Sequence, residues 1–180
     1  MTVVSCVSKR PGNSFSEFRS KYKLKPCPEN RIANDDEKIQ MTASQGLKTW
    51  VDGVEAPSYG NVPKIQPRPK NAELWVVRSQ DVVYAEEYCD FGKKLQTKMI
   101  KHSNLTGAKP AYCGGELIWI DETTIVITGR SGRYGPSSSS EMEAVAKSFR
   151  ESGYAVWTLG YSDETDTPFA FGDRDPEMVV

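Results

Sequence analysis

The stretch GGELIWIDETTIVITGRSGRYGPSSSSEMEAVAKSFRESGY, residues 114–154, decides the fold. Its first half gives two β-rich runs, GGELIWID and TTIVITG, with a turn at Asp121-Glu122. The β-branched run Ile125-Val126-Ile127 suits a pleated surface with at least one face covered. Its second half has the marks of a capped amphipathic helix. Serines 137–140 supply an N-cap, Glu141 and Glu143 stand in the electropositive first turn, and Gly153 ends the helix. Met142, Val145, Ala146 and Phe149 make one apolar stripe, which fits against a sheet. YAVWTLGY then returns as a further strand.

Upstream, ELWVVRSQDVVYAEE reads as another hairpin, with runs over residues 74–78 and 82–86 joined by Ser79-Gln80-Asp81. A helix through Tyr84, Tyr88, Phe91 and Leu95 competes, because those positions share one helical face. The hairpin is preferred, followed by a helix or helical turn over residues 88–99. Two hairpins, one covering helix and a returning strand predict an α+β domain with a mainly antiparallel sheet, over residues 71–165.

Outside that core the patterns weaken. Residues 1–70 show no sustained period, and prolines at 57, 63, 67 and 69 predict an extended strap or N-terminal extension. Phe15, Phe18 and Tyr22 stand at helical spacing, and Ile39, Met41, Leu47, Trp50 and Val51 form a second apolar group. Both are candidates for docking on the chain's own domain or on a second copy. Residues 166–180 read as an acidic tail that frays.

The chain has 180 residues, of which 38% are hydrophobic and 26% charged, as in an ordinary water-soluble domain. A net charge of -1 gives no global attraction to nucleic acid, and no aromatic-basic strand signature is present. No run approaches the roughly 20 apolar residues of a membrane span. The opening MTVVSCVSKRPGNSF falls short of the about 7–15 apolar residues of a secretory leader, so the expected location is the cytoplasm. Cys6, Cys27, Cys89 and Cys113 are scattered and His102 is the single histidine. No zinc site and no cofactor are implied, and a reduced chain is expected.

The order of ELWVVRSQDVVYA, KHSNLTG, CGGELIWIDETTIVITG and SGRYGP resembles a module with a histidine-serine loop, a small-small-Glu strand and an S-G-(H/R)-Y-x-P turn. That module is associated with bacterial toxin-like and effector proteins, with plant calmodulin-binding IQ-motif proteins, and with small bacterial or phage proteins. The match covers about residues 73–160, and Arg133 stands where a histidine is more familiar. The resemblance implies the fold and the location of a site, in a protein acting in a host cytoplasm if it is phage- or effector-encoded.

Several residues carry candidate chemistry. His102 is a candidate acid/base, or a loop-packing imidazole bonded to backbone. Glu116 follows Gly114-Gly115, where a ligand or another backbone approaches closely; it is a candidate to orient His102 or to take a proton. Cys113 reads as a small buried apolar residue rather than a nucleophile. Lys101 and Ser103 flank His102 as candidate ligand contacts. Residues 129–136 combine Arg130, Ser131, Arg133 and Tyr134 with three glycines just before a helix N-terminus. These are the parts of an anion site, in which amides and arginines hold the charge and Tyr134 covers the ligand. The alternative is a turn whose serine caps the helix while the arginines lie in solvent.

Two function classes follow. One is a binding module for a phosphate- or carboxylate-bearing small molecule or a protein partner. The other is a small enzyme acting on a phosphorylated or nucleotide-like substrate through His102 and Glu116. Arg78, Ser131 and Glu164 occur in the order used by ADP-ribosyltransferases, but without the S-T-S and E-x-E patterns of those enzymes. No G-x-S-x-G elbow of a serine hydrolase is present. The sequence leaves the ligand and the oligomeric state open.

Overall fold

The structure, a computed structural model, describes residues 13–53 and 58–180; Cys6, Pro11 and Pro57 lie outside them. Among the described residues the chain forms nine strands, β1 (Lys48–Thr49), β2 (Glu73–Val77), β3 (Val82–Glu86), β4 (Cys113–Asp121), β5 (Thr124–Thr128), β6 (Ala155–Thr158), β7 (Tyr161–Ser162), β8 (Thr167–Pro168) and β9 (Glu177–Met178). Its α-helices are α1 (Ser16–Lys21), α2 (Asp90–Lys93), α3 (Ser103–Thr106) and α4 (Ser139–Glu151). Seven strands make one sheet in the order β1-β3-β2-β4-β5-β6-β9, and β7 and β8 form a separate ribbon. The fold is α+β. Every pairing in the sheet is antiparallel except β5 with β6, which run parallel because α4 carries the chain back between them.

Both hairpins form where the alternation places them, β2–β3 across residues 78–81 and β4–β5 across residues 122–123. Period-2 geometry sends Trp75 and Val77 to one face and Leu74 and Val76 to the other. Helix α4 covers the first face. It is capped by the Ser138 hydroxyl, which accepts the Glu141 amide at 3.1 Å. Its Met142, Val145, Ala146 and Phe149 meet Trp75, Leu117, Ile125 and Ile127 of the sheet.

Phe15, Phe18 and Trp50 of the N-terminal segment are buried in that same layer. Phe149 lies edge-on to Phe15, Trp50 and Trp75 with ring centroids 5.0, 5.1 and 5.0 Å apart. The Trp50 indole N–H donates to the Ser152 hydroxyl at 3.0 Å, locking the segment to the end of α4. Phe15, Phe18, Met41 and Trp50 therefore dock on the chain's own domain, whereas Ile39 and Val51 of the expected docking group stay exposed.

α4 is not the sheet's whole cover. The second face is sealed by Met41, Leu95, Ile100, Leu105 and Tyr134 over β2 and β3, and by Ile65 and Phe171 over Ile118 and Val126. Of the helix or helical turn expected over residues 88–99, the shorter alternative forms. No helix longer than the single turn of α2 runs there: Lys98 takes a left-handed φ of 61°, and the Ile100 amide closes the loop on the Glu87 carbonyl at 3.0 Å. Gly92 packs against the Ile100 backbone inside that loop, so the shared helical face of Tyr88, Phe91 and Leu95 is overridden by tertiary closure. Nor does the tail fray, because β9 pairs with β6 and Phe171 is buried.

Phe149→Ala is expected to lower the unfolding free energy by about 3–5 kcal/mol, the cost of emptying a buried aromatic site. Urea denaturation measures it. A loss below about 1 kcal/mol would mean that the layer closes without this ring.

Candidate functional site

The sheet register puts four positions along a diagonal row on the second face, with Glu87 level with Ala72 and Arg130 level with Gly114 on opposite sides of the Leu74–Glu116 pair. Glu116 pairs across β4–β2 with Leu74, and across β4–β5 with Thr128. Leu74 pairs on its other side with Ala85, two residues before Glu87. Arg130 stands two residues beyond Thr128, so Glu87, Leu74, Glu116 and Arg130 project to the same side near the strand ends. The loop before α3 brings Lys101 and His102 over this row. The result is a cleft of about 550 Å³ whose lining includes Glu87, Lys101, His102, Glu116, Arg130 and Arg133. Ser131 and Arg31 also reach it.

His102 is fixed by the two glycines before Glu116. Its Nε2–H donates to the Gly115 carbonyl at 2.8 Å, which leaves Nδ1 as the unprotonated nitrogen. A side chain at Gly114 would approach the imidazole Cδ2 to 3.2 Å, and one at Gly115 would strike the Trp75 ring at 2.6 Å and the Thr128 carbonyl. Burial pushes the His102 pKa down to about 4, with the charges of Arg133 and Lys101 adding to the shift. The ring is therefore neutral near pH 7.

Glu116 moves the other way. Burial and then the neighbouring Glu87 carboxylate raise its pKa to about 7, against opposing effects of Arg130 and the Thr128 hydroxyl. Glu87 is raised as well, by burial, with Lys101 opposing. Glu116 thus exchanges protons at physiological pH, as an acid/base group must. Cys113 is inert by comparison, since burial pushes its thiol up to about 12.

The remaining predicted residues divide. Arg130 is exposed, with one long bond from Nη1 to the Pro168 carbonyl at 3.4 Å. Arg133 is pinned: its Nη2 donates to Glu37 at 2.7 Å and to the Arg31 carbonyl at 2.6 Å, with the two side chains 9% and 2% exposed. Its Nε has no acceptor. The Ser131 hydroxyl accepts the amides of Arg133 and Tyr134 and shapes the turn. Tyr134 lies wholly in the core, donating to the Lys109 carbonyl at 2.7 Å and sharing a hydrogen with Thr106 at 2.8 Å. Ser103 is also buried and does not line the cleft.

The helix N-terminus holds no open anion site. Ser138 caps it, and the Glu141 carboxylate accepts the Ser137 amide at 2.6 Å while pairing with Lys25 at 2.6 Å. The protein's own carboxylate occupies the place proposed for a ligand. None of Gly129, Gly132 and Gly135 has a positive φ. Gly129 is small because Pro136 and Met142 press on it, at 2.6 and 2.8 Å from where a Cβ would stand.

Arg78 is held bidentately by Asp81 at 2.7 Å and also bonds the Leu105 carbonyl; neither it nor Glu164 lines the cleft. A larger hollow, about 740 Å³, contains no arginine or histidine, and its Asp36 accepts the Gln96 amide at 2.8 Å. Among the described residues no cluster of His, Cys, Asp and Glu could hold a metal, and no helix is long and apolar enough to cross a membrane. Glu87 and Arg31 escaped the sequence reading. Glu87 sits two residues after a buried Ala85, so strand alternation pointed to it; nothing local pointed to Arg31.

In comparisons with known proteins, no family model, no curated sequence and no solved structure matches the chain.

Two outcomes check this geometry. Glu116 holds a proton in the folded state that the unfolded chain releases, so its contribution to stability is full at low pH and lost as pH rises through about 7. His102 does the reverse: its contribution is full above the ordinary imidazole range and lost as pH falls towards about 4. The two oppose between about pH 4.5 and 6.5. Glu116→Gln is expected to expose the His102 slope, so that stability falls on acidification through this range by up to about 1.4 kcal/mol per pH unit. Urea denaturation at a series of pH values reads this, and a profile parallel to the native one would place the Glu116 pKa in the ordinary carboxylate range. Arg133→Ala should cost about 3–5 kcal/mol, because it strands a buried Glu37, and calorimetric unfolding measures the loss.

Proposed function

We propose that this protein binds a small phosphate- or carboxylate-bearing ligand in the cleft between the α3 loop and the turn over residues 129–136. The motif resemblance suggests a setting, a small effector or accessory protein of bacterial or phage type acting in the cytoplasm. One observation carries the reading: Lys101, His102, Glu116, Arg130, Ser131 and Arg133 line a single cleft. Arg130 supplies the exposed cation for the anion and Lys101 the second. Arg133 and Ser131 hold the turn from behind rather than reaching the ligand.

A second reading, a small enzyme acting on a phosphorylated or nucleotide-like substrate, is favoured by the Glu116 pKa near 7. In it Glu116 exchanges the proton. His102, neutral and bonded through Nε2 to Gly115, presents Nδ1 as an acceptor, a positioning role more than that of an acid.

Titration calorimetry with inorganic phosphate and with adenosine monophosphate tests the binding reading. Arg130→Ala is expected to weaken whichever of the two binds by about 1.5–3 kcal/mol, the range of a charge-assisted hydrogen bond. Its melting temperature should stay near that of the native chain, since Arg130 is exposed. Unchanged affinity in the variant would remove Arg130 from the site.

A further inference from the structure

The cleft is divided by charge. Its floor carries two carboxylates, Glu87 and Glu116, both partly buried. Its rim carries Lys101 and Arg130, each near enough to bias one carboxylate: Arg130 acts on Glu116, and Lys101 on Glu87. Yet none of the four is ion-paired among the described residues, although the chain closes ion pairs elsewhere, including Arg133 with Glu37 and Lys25 with Glu141. The sheet register explains the separation. Glu87 and Glu116 flank Leu74 on neighbouring strands, while Arg130 leaves from beyond the end of β5 and Lys101 from the covering loop.

Partly buried carboxylates without a bonded counter-ion raise the free energy of the empty protein. Two carboxylates side by side raise it further, by mutual repulsion. A simple anion would engage the rim and aggravate the floor, because it adds negative charge next to Glu87 and Glu116. A simple cation would do the opposite. Only a ligand carrying both signs satisfies the two halves together.

Resting on the binding reading above, we propose that the ligand is bipolar, with a phosphate or carboxylate at one end and a protonated amine at the other. The anion lies against Arg130 and Lys101, and the ammonium donates to Glu116 and Glu87. The class is that of amino acids, aminoalkyl phosphates and phosphorylated amines. Such a ligand also sets the sign of proton exchange. An ammonium beside Glu116 favours its ionised form and so releases a proton on binding near pH 7, whereas an anion alone favours the neutral form and draws a proton in.

The test compares pairs of probes that differ only in the amine. Phosphoethanolamine is set against ethyl phosphate, and β-alanine against propionate, by titration calorimetry near neutral pH in buffers of different ionisation enthalpy. The phosphate pair and the carboxylate pair distinguish the two kinds of anion. In at least one pair the amine-bearing probe is expected to bind at least about tenfold tighter. It should release protons where its partner takes them up. Glu116→Gln should bring the ratio of the two affinities close to one, and the variant's melting temperature confirms that it is folded. If ethyl phosphate or propionate binds and in neither pair does the amine-bearing probe bind tighter, the bipolar ligand is overturned while the anion site stands. If none of the four binds at millimolar concentration, both fall.

Discussion

No side chain fits at Gly115, and the site is organised around that exclusion. The position is enclosed by the Trp75 ring on one side and the Thr128 carbonyl on the other, and its own carbonyl receives the His102 N–H. One residue without a Cβ thus lets β2, β4 and β5 keep their spacing while an indole packs against the backbone. The Trp75 N–H meanwhile donates to the Glu116 carbonyl at 3.0 Å. The imidazole is held by the residue before Glu116, so the loop that carries Lys101 and His102 is anchored at the floor of the cleft. A side chain at position 115 would strike Trp75 on the face away from the cleft, whereas one at position 114 would press on His102 itself.

The N-terminal segment completes the site as well as the core. Glu37 accepts the amides of Ala33 and Asn34 at 2.9 and 2.7 Å and turns its other oxygen to Arg133. A single buried carboxylate therefore fixes both the turn over residues 34–38 and the turn over residues 129–136. Asn104, on α3, donates to the Asp36 and Ile39 carbonyls at 3.0 and 2.9 Å, so the third wall is tied to the same segment. Three pieces of chain far apart in sequence are cross-linked by polar groups behind the cleft. Its open side is left to Arg130 and Lys101.

What could be read in the sequence was local. Alternation in β4 and β5, the serine cap of α4 and its apolar stripe depend on neighbours within a few residues, and each was legible. So was the gathering of Lys101, His102, Glu116 and Arg130, through motif order rather than through geometry. Over residues 88–99 the apolar spacing showed a helix or a helical turn but not which, because the loop closure between Glu87 and Ile100 that limits it to one turn was invisible. The anion site at the α4 N-terminus was misread for a related reason. Serines and glutamates in a first turn announce a positive helix end, but not that Glu141 folds back to occupy it. Tyr134 looked like a ligand cover because an aromatic beside arginines does; its hydroxyl partners, Lys109 and Thr106, lie more than twenty residues away.

Arg130 and Arg133 state the limit most sharply. They sit three residues apart in one turn, are chemically identical, and have opposite uses. Arg133 is desolvated and matched to Glu37, 96 residues upstream, in an ion pair whose removal leaves a charge stranded. Arg130 is exposed and among the described residues closes no ion pair, with a long bond to the Pro168 carbonyl. A guanidinium that is already paired and buried has less to offer a ligand, since its charge is matched by Glu37 and its Nη2 is engaged by Glu37 and the Arg31 carbonyl. An exposed one keeps its donors free and loses them to water only weakly. Burial, not residue type, therefore separates the arginine that builds the cleft from the arginine that can work in it.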